Sequence, residues 1–156
     1  AWQQNEGGYA HIQGTKPQTL AYGLNDSPAG LAAWIVEKYR TWSDCHGDVE
    51  SRFSKDELLT TITIYWVTQT ISSSTRMYLE NQTHTWSMGA EERVKAPAGM
   101  AIFPQEIAKP PREWAERSYD VRRWTEMPSG GHFAALEEPA LLAGEVREFF
   151  RPLRTS

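Results

Sequence analysis

The sequence predicts an α/β protein made of two unlike parts. Residues 98–103 and 121–127 read as short strands, and each is followed by a helix opened by a proline. Strand, helix, strand, helix is the order of a parallel sheet with crossover helices. Upstream of residues 86–93, where the texture changes, apolar residues recur instead at helical spacing and are rich in aromatics. With 40% hydrophobic and 23% charged residues over 156 positions, the chain has enough apolar material for a core and is not a disordered segment.

Taken in order, Ser27-Pro28 opens a helix, with Ser as N-cap and Pro in the first turn. Leu31, Trp34, Ile35, Tyr39 and Trp42 then share a face, and Ser43 to Gly47 ends the helix. Ser54-x-x-Glu57 is a capping box. The run behind it is ambiguous: Leu58, Leu59, Ile62 and Trp66 have helical spacing, whereas Ile62, Ile64 and Trp66 alternate as in a strand. The capping box decides for helix. A second helical stretch covers Thr70 to Leu79. Ala98 to Phe103, flanked by Pro97 and Pro104, suits a buried strand. Pro111 opens a helix to about Ser118, and Val121 to Met127 forms the next strand. After Gly130-Gly131, Pro139 opens a final helix with Leu142, Val146, Phe149 and Phe150 on one side.

Composition excludes several classes. The net charge of −4, with Arg and Lys scattered among acids, lacks the clustered basic footprint of a nucleic-acid binder. The lone cysteine, Cys45, permits neither a disulfide framework nor a cysteine-based zinc site, and Cys45-His46 is too isolated to hold a metal. It favours a reducing compartment, so the cytoplasm is the expected location. Neither a cofactor nor a metal is expected. No stretch reaches the roughly 20 apolar residues of a membrane helix. The triplets at Asn25 and Asn81 are read as unmodified. The start at Ala1-Trp2-Gln3-Gln4 reads as internal to a longer protein, with any anchor or signal upstream. The seven tryptophans serve the core first, and secondarily an apolar substrate pocket.

Two ionisable residues follow the strands where open α/β sheets place their chemistry. Glu106 follows the first strand and His132 the second. Adjacent parallel strands would bring their loops together. A carboxylate then accepts one imidazole N–H and leaves the other ring nitrogen to take a proton from water. A single His after a strand is more often structural than catalytic. The two glycines before it favour a tight turn that presents the ring beyond the sheet.

Longer motifs sharpen this. Gly130-Gly131-His132-Phe133-Ala134-Ala135-Leu136-Glu137-Glu138-Pro139 resembles the C-terminal histidine motif of microsomal-type epoxide hydrolases. Phe103-Pro104-Gln105-Glu106 is similar to that family's acidic segment. Tyr9-Ala10-His11-Ile12-Gln13-Gly14-Thr15-Lys16-Pro17-Gln18-Thr19 and Leu24-Asn25-Asp26-Ser27-Pro28-Ala29-Gly30-Leu31-Ala32-Ala33-Trp34-Ile35 resemble its lid. Tyr65-Trp66, followed by Arg76-Met77-Tyr78-Leu79-Glu80-Asn81, resembles its lid helix with a catalytic tyrosine. The resemblance runs nearly end to end. It implies the C-terminal part of an α/β-hydrolase fold, with residues 1–88 as a mostly helical lid and 89–156 as the last two strand–helix units of the core sheet.

The resemblance also implies a chemistry. An Asp opens the epoxide and forms an alkyl-enzyme ester, lid tyrosines stabilise the developing alkoxide, and a His–acid pair activates the water that cleaves the ester. His132, Glu106 and Tyr78 map onto these roles. The nucleophile's elbow, the oxyanion loop and the second lid tyrosine are expected upstream of Ala1, since no Gly-x-Asp-x-Gly occurs. Asp44, Asp48, Asp56 and Asp120 are read as surface or capping residues. Glu137 and Glu138 are read as caps for the Pro139 helix, His11 as a structural His and Tyr65 as a packing residue. Expected partners are a small apolar or aromatic epoxide, water and the N-terminal half of the same enzyme; a homodimer is compatible with the sequence. Two other readings stand beside this one: a haloalkane-type hydrolase, which would use Trp or Asn donors for halide, and a non-catalytic hydrolase-like binding domain, which would not need His132, Glu106 and Tyr78 together. With two strands alone the sheet edges would be unpaired, so stable folding is expected to need the upstream half.

Overall fold

A computed structural model describes residues 2–85, 87–89 and 92–154, with side chains from residue 6. Trp86 and the side chain of Trp2, two of the seven tryptophans, lie outside this description, as do Ala90 and Glu91 within the change of texture. The chain forms two compact units, one of residues 1–37 and 55–87, the other of residues 38–54 and 88–156.

The first unit is helical. It contains α1 (Trp2–Thr15), α2 (Pro17–Asp26), the first part of α3 (Pro28–Trp42), α4 (Lys55–Thr68) and α5 (Ile71–Thr83). Both α2 and α3 begin on proline, whose fixed φ suits a first turn and whose missing N–H costs nothing there. The Ser27 hydroxyl accepts the Gly30 N–H at 3.0 Å, an N-cap bond of the expected kind. The ambiguous run is a helix. A strand would set Ile62 and Ile64 on the same face, but Ile62 is 6% exposed and Ile64 56%. Leu24, Leu31, Ile62 and Ile71 form the core of this unit, with Trp34, Ile35, Tyr65 and Trp66 packed against it.

The second unit carries the sheet. β1 (Val94–Ile102) and β2 (Tyr119–Glu126) pair in parallel, from Val94 opposite Tyr119 to Ile102 opposite Glu126. β1 starts four residues before the expected Ala98, and the ladder is irregular between Val94 and Pro97. Pro97 has no N–H to donate, so that stretch cannot keep a regular ladder. α6 (Arg112–Ser118) connects the strands after Pro111. A short α7 (Ala134–Glu137) and α8 (Pro139–Phe150) follow β2. α8 packs on β1 at Gly99, where a Cβ would stand 2.7 Å from the Phe149 ring. Glu145 of α8 takes a forked pair of bonds from Arg123 and a 2.7 Å bond from the Thr125 hydroxyl, which fastens α8 to β2. That pairing holds the Glu145 carboxyl below its ordinary range, led by the bond from Arg123.

The apolar face expected on α8 is only partly used. Leu142 and Phe149 are half-buried, while Val146 and Phe150 stay exposed. On the sheet, Met100, Ile102, Trp114, Tyr119 and Trp124 line an open apolar cleft of about 360 Å³. Among the described residues no helix is long and apolar enough to cross a membrane.

Candidate active site

The parallel ladder sets the geometry of the site. Beyond the strand ends Met127 N–H still donates to Ile102 O at 2.8 Å, and Gln105 N–H donates to Gly130 O at 3.0 Å. Gln105 and Gly131 thus extend the pairing as an isolated parallel bridge. One residue further along each loop stand Glu106 and His132. His132 Nδ1 lies 2.7 Å from Glu106 Oε1. A carboxylate only accepts, so the proton of this bond belongs to Nδ1 and Nε2 is left with a free lone pair. The same Oε1 accepts Ile107 N–H at 2.6 Å, which fixes the carboxylate. Both side chains keep access to solvent, at 40% and 32% exposure.

The two glycines before His132 have separate jobs. Gly130 has φ +105°, a conformation that side-chain-bearing residues rarely adopt, and a Cβ there would meet the Phe103 ring at 2.8 Å. At Gly131 a Cβ would meet backbone: Trp42 O at 2.7 Å and Asp44 N at 3.0 Å. The backbone of residues 42–44 therefore runs against the histidine loop. His132 N–H donates to Trp42 O at 3.0 Å, and the Trp42 ring meets the imidazole edge-on at 5.4 Å. Tyr39 stacks flat on Phe133 at 4.3 Å.

Behind this loop lies a buried acidic group that corrects two sequence expectations. Asp44 is not a surface residue; it is 7% exposed, and its Oδ2 accepts Gly130 N–H at 3.0 Å and Arg52 Nη2 at 3.2 Å. Glu137 does not cap α8; it is 8% exposed, with one oxygen on Phe133 N–H at 2.9 Å and the other on Asp44 N–H at 2.7 Å. Glu138 makes no side-chain cap bond either, and instead pairs with Arg52 at 2.9 Å and Ser129 at 2.8 Å. Asp48 does cap, accepting Glu50 N–H at 3.2 Å.

Tyr78 sits on α5 in the helical unit, half-buried. Its ring meets that of Tyr9 edge-on at 5.7 Å, and Tyr9 stacks on Trp34 at 4.8 Å. Burial pushes the Tyr9 phenol well above its ordinary range. The neighbouring Tyr78, whose hydroxyl shares a hydrogen bond with it, adds to the shift. Tyr9 is thus a phenol held protonated beside Tyr78. The available signal was local: Tyr9 and the almost fully buried Gln13 fall one helical turn apart, and Gln13 Nε2 donates to Tyr9 O at 3.0 Å. Tyr65 packs against the core. His11, expected to be structural, is exposed on α1, and His84 is an exposed residue at the end of α5. No group of three or more His, Cys, Asp or Glu among the described residues is arranged to hold a metal.

A parallel strand pair with an acid and a histidine on consecutive loops, in a chain that also carries a helical unit, defines part of an α/β-hydrolase fold. Structural comparison agrees. The juvenile hormone epoxide hydrolase of Bombyx mori superposes with a TM-score of 0.85 at 34% identity, over 96% of this chain and 41% of that one. In sequence, epoxide hydrolase 1 of Sus scrofa is 46% identical over 153 residues, covering 92% of this chain and 34% of its own. Juvenile hormone epoxide hydrolase 2 of Ctenocephalides felis is 45% identical over 150 residues, covering 90% and 32%. No protein-family model matches. The chain belongs to the epoxide hydrolases, and it spans about a third of the length of the curated relatives it matches.

Proposed function

We propose that the protein containing this chain hydrolyses an epoxide to a vicinal diol through an alkyl-enzyme ester, and that this chain carries the water-activating step. The observation that supports this reading most is the 2.7 Å contact between His132 Nδ1 and Glu106 Oε1 on consecutive strand-end loops. Glu106 holds the ring in one tautomer and stabilises the imidazolium that forms. Nε2 takes a proton from water, and the hydroxide attacks the ester carbonyl. General base catalysis of this kind contributes roughly 10²–10⁴-fold. Tyr78, together with Tyr9, donates a hydrogen bond to the epoxide oxygen as its C–O bond breaks. Phenols that stay protonated suit that task, and burial keeps Tyr9 so. Residues 1–88 then act as the lid and 89–156 as the last part of the core.

The attacking carboxylate belongs to sequence outside these 156 residues, in the N-terminal half of the same enzyme. The substrate is a small apolar or aromatic epoxide, for which the Trp34–Tyr9 stack offers an aromatic wall. The experiment is a His132→Gln change in the full-length protein. Ester formation should persist while its hydrolysis stops, so a covalent adduct should accumulate in the mass spectrum of the protein. No adduct together with unchanged turnover would overturn the assignment.

A further inference from the structure

Residues 42–52 join α3 to α4, and they are bonded to the histidine loop more densely than a connector requires. Gly130 and His132 each present a backbone N–H to this region, and Phe133 presents one to Glu137, which itself binds the connector. Gly130 N–H goes to Asp44 Oδ2, His132 N–H to Trp42 O, and Phe133 N–H to Glu137 Oε1. Glu137 Oε2 in turn accepts Asp44 N–H, so one carboxylate ties the loop to the connector. Arg52 sits between the acids. Its Nε donates to Asp44 O at 2.7 Å, its Nη2 to Asp44 Oδ2 and its Nη1 to Glu138 Oε1. Gly131 closes the arrangement by letting the two backbones touch.

We propose that Asp44 and Glu137 are positioning residues that hold the His132 backbone, and so aim its imidazole at Glu106 and at the attacking water. This rests on the water-activating role of His132. The physical ground is directional. Glu137 serves two N–H donors with two oxygens, and no neutral side chain of its shape can do so. In Glu137→Gln one oxygen becomes an amide NH₂ that faces a donor, leaving the N–H of Asp44 or Phe133 without an acceptor in a buried site. Asp44→Asn is milder: its amide oxygen still accepts Gly130 N–H, and what is lost is the charge opposite Arg52 and the oxygen that faces the exposed His46. Neither side chain bonds the imidazole, so each acts through the loop.

The test follows the two chemical steps separately in the full-length protein, with styrene oxide as a small aromatic epoxide. Glu137→Gln should slow ester hydrolysis by about 10²-fold, the order of loss that misplacing a catalytic group produces, and Asp44→Asn by less. Ester formation should stay near the parent rate in both, because lid tyrosines and not His132 serve that step. A fall of both steps in proportion, or no change in either variant, would overturn the proposal. The NMR resonance of the His132 Nδ1 proton provides a second readout that needs no turnover. It should shift or broaden in Glu137→Gln, and an unchanged resonance counts against the proposal even if the enzyme has another activity. His132→Gln in parallel separates the two ideas. If it traps ester while Glu137→Gln hydrolyses normally, only the positioning role fails. If it traps none, the functional reading fails and the resonance decides positioning alone.

Discussion

The two pairs of side chains proposed for the reaction are held in opposite ways. His132 and Glu106 are placed by backbone: a parallel ladder that runs past its strands, a glycine at positive φ and N–H groups bonded to Trp42 and Asp44. Tyr9 and Tyr78 are placed by side-chain packing. Their helices α1 and α5 meet ring to ring, with Trp34 behind Tyr9. Hydrogen bonds to a backbone fix direction within a few tenths of an ångström, whereas ring packing fixes position and tolerates rotation. The contrast suits the proposed tasks. A general base must point at one water, while a phenol pair follows an oxygen that moves as its bond breaks.

The largest effect that would sharpen this contrast is on the packed pair. Tyr78→Phe removes a hydroxyl and keeps the ring, so the edge contact with Tyr9 survives. Ester formation should slow by an amount typical for one lost oxyanion donor, about 2.7–4 kcal/mol in barrier height. Single-turnover kinetics would read it, and ester hydrolysis should be nearly unchanged. Equal loss in both steps would break the division of labour between the pairs.

A smaller effect probes the backbone-held pair. Gly131→Ala forces a Cβ against Trp42 O and Asp44 N, which are backbone atoms that cannot swing aside. Overpacking of this kind costs about 1–3 kcal/mol of stability. Urea denaturation of the full-length protein should show it, and a stability equal to that of the parent would mean the connector yields freely.

The same contrast explains what was legible in the sequence. Helices that open on proline, α3 and α8, announced themselves, as did the strand cores of β1 and β2. The capping box at Ser54 resolved the helix–strand ambiguity of α4. Long-range acid contacts were not legible. Asp44 meets Gly130 across 86 positions and Glu137 across 93, and nothing local marks either as buried. α1 was not individually marked as a helix, since Gly7, Gly8 and Gly14 lower its intrinsic propensity and packing against α5 and α2 offsets that. Tyr9 was visible as the start of a lid-like segment, but nothing in the sequence set it beside Tyr78. Of the site, the His–Glu pair was readable because strand order brings the two loops together and the motifs around Glu106 and His132 resemble those of a known family.

The smallest expected effect concerns Tyr9 itself and needs no substrate. Its phenol is held protonated above the ordinary tyrosine value near 10, first by burial and then by Tyr78. The folded state therefore binds this proton more tightly than the unfolded chain does. Below the unfolded value both states carry the proton, and the stabilisation is intact. As pH rises from there toward the folded value, the unfolded chain releases its proton first and stability falls. Phenolate absorbance should thus show a late-titrating component, and Tyr9→Phe should remove it. The variant should also lose less stability between neutral and strongly alkaline pH than the parent. A late component that survives Tyr9→Phe would locate the buried phenol elsewhere.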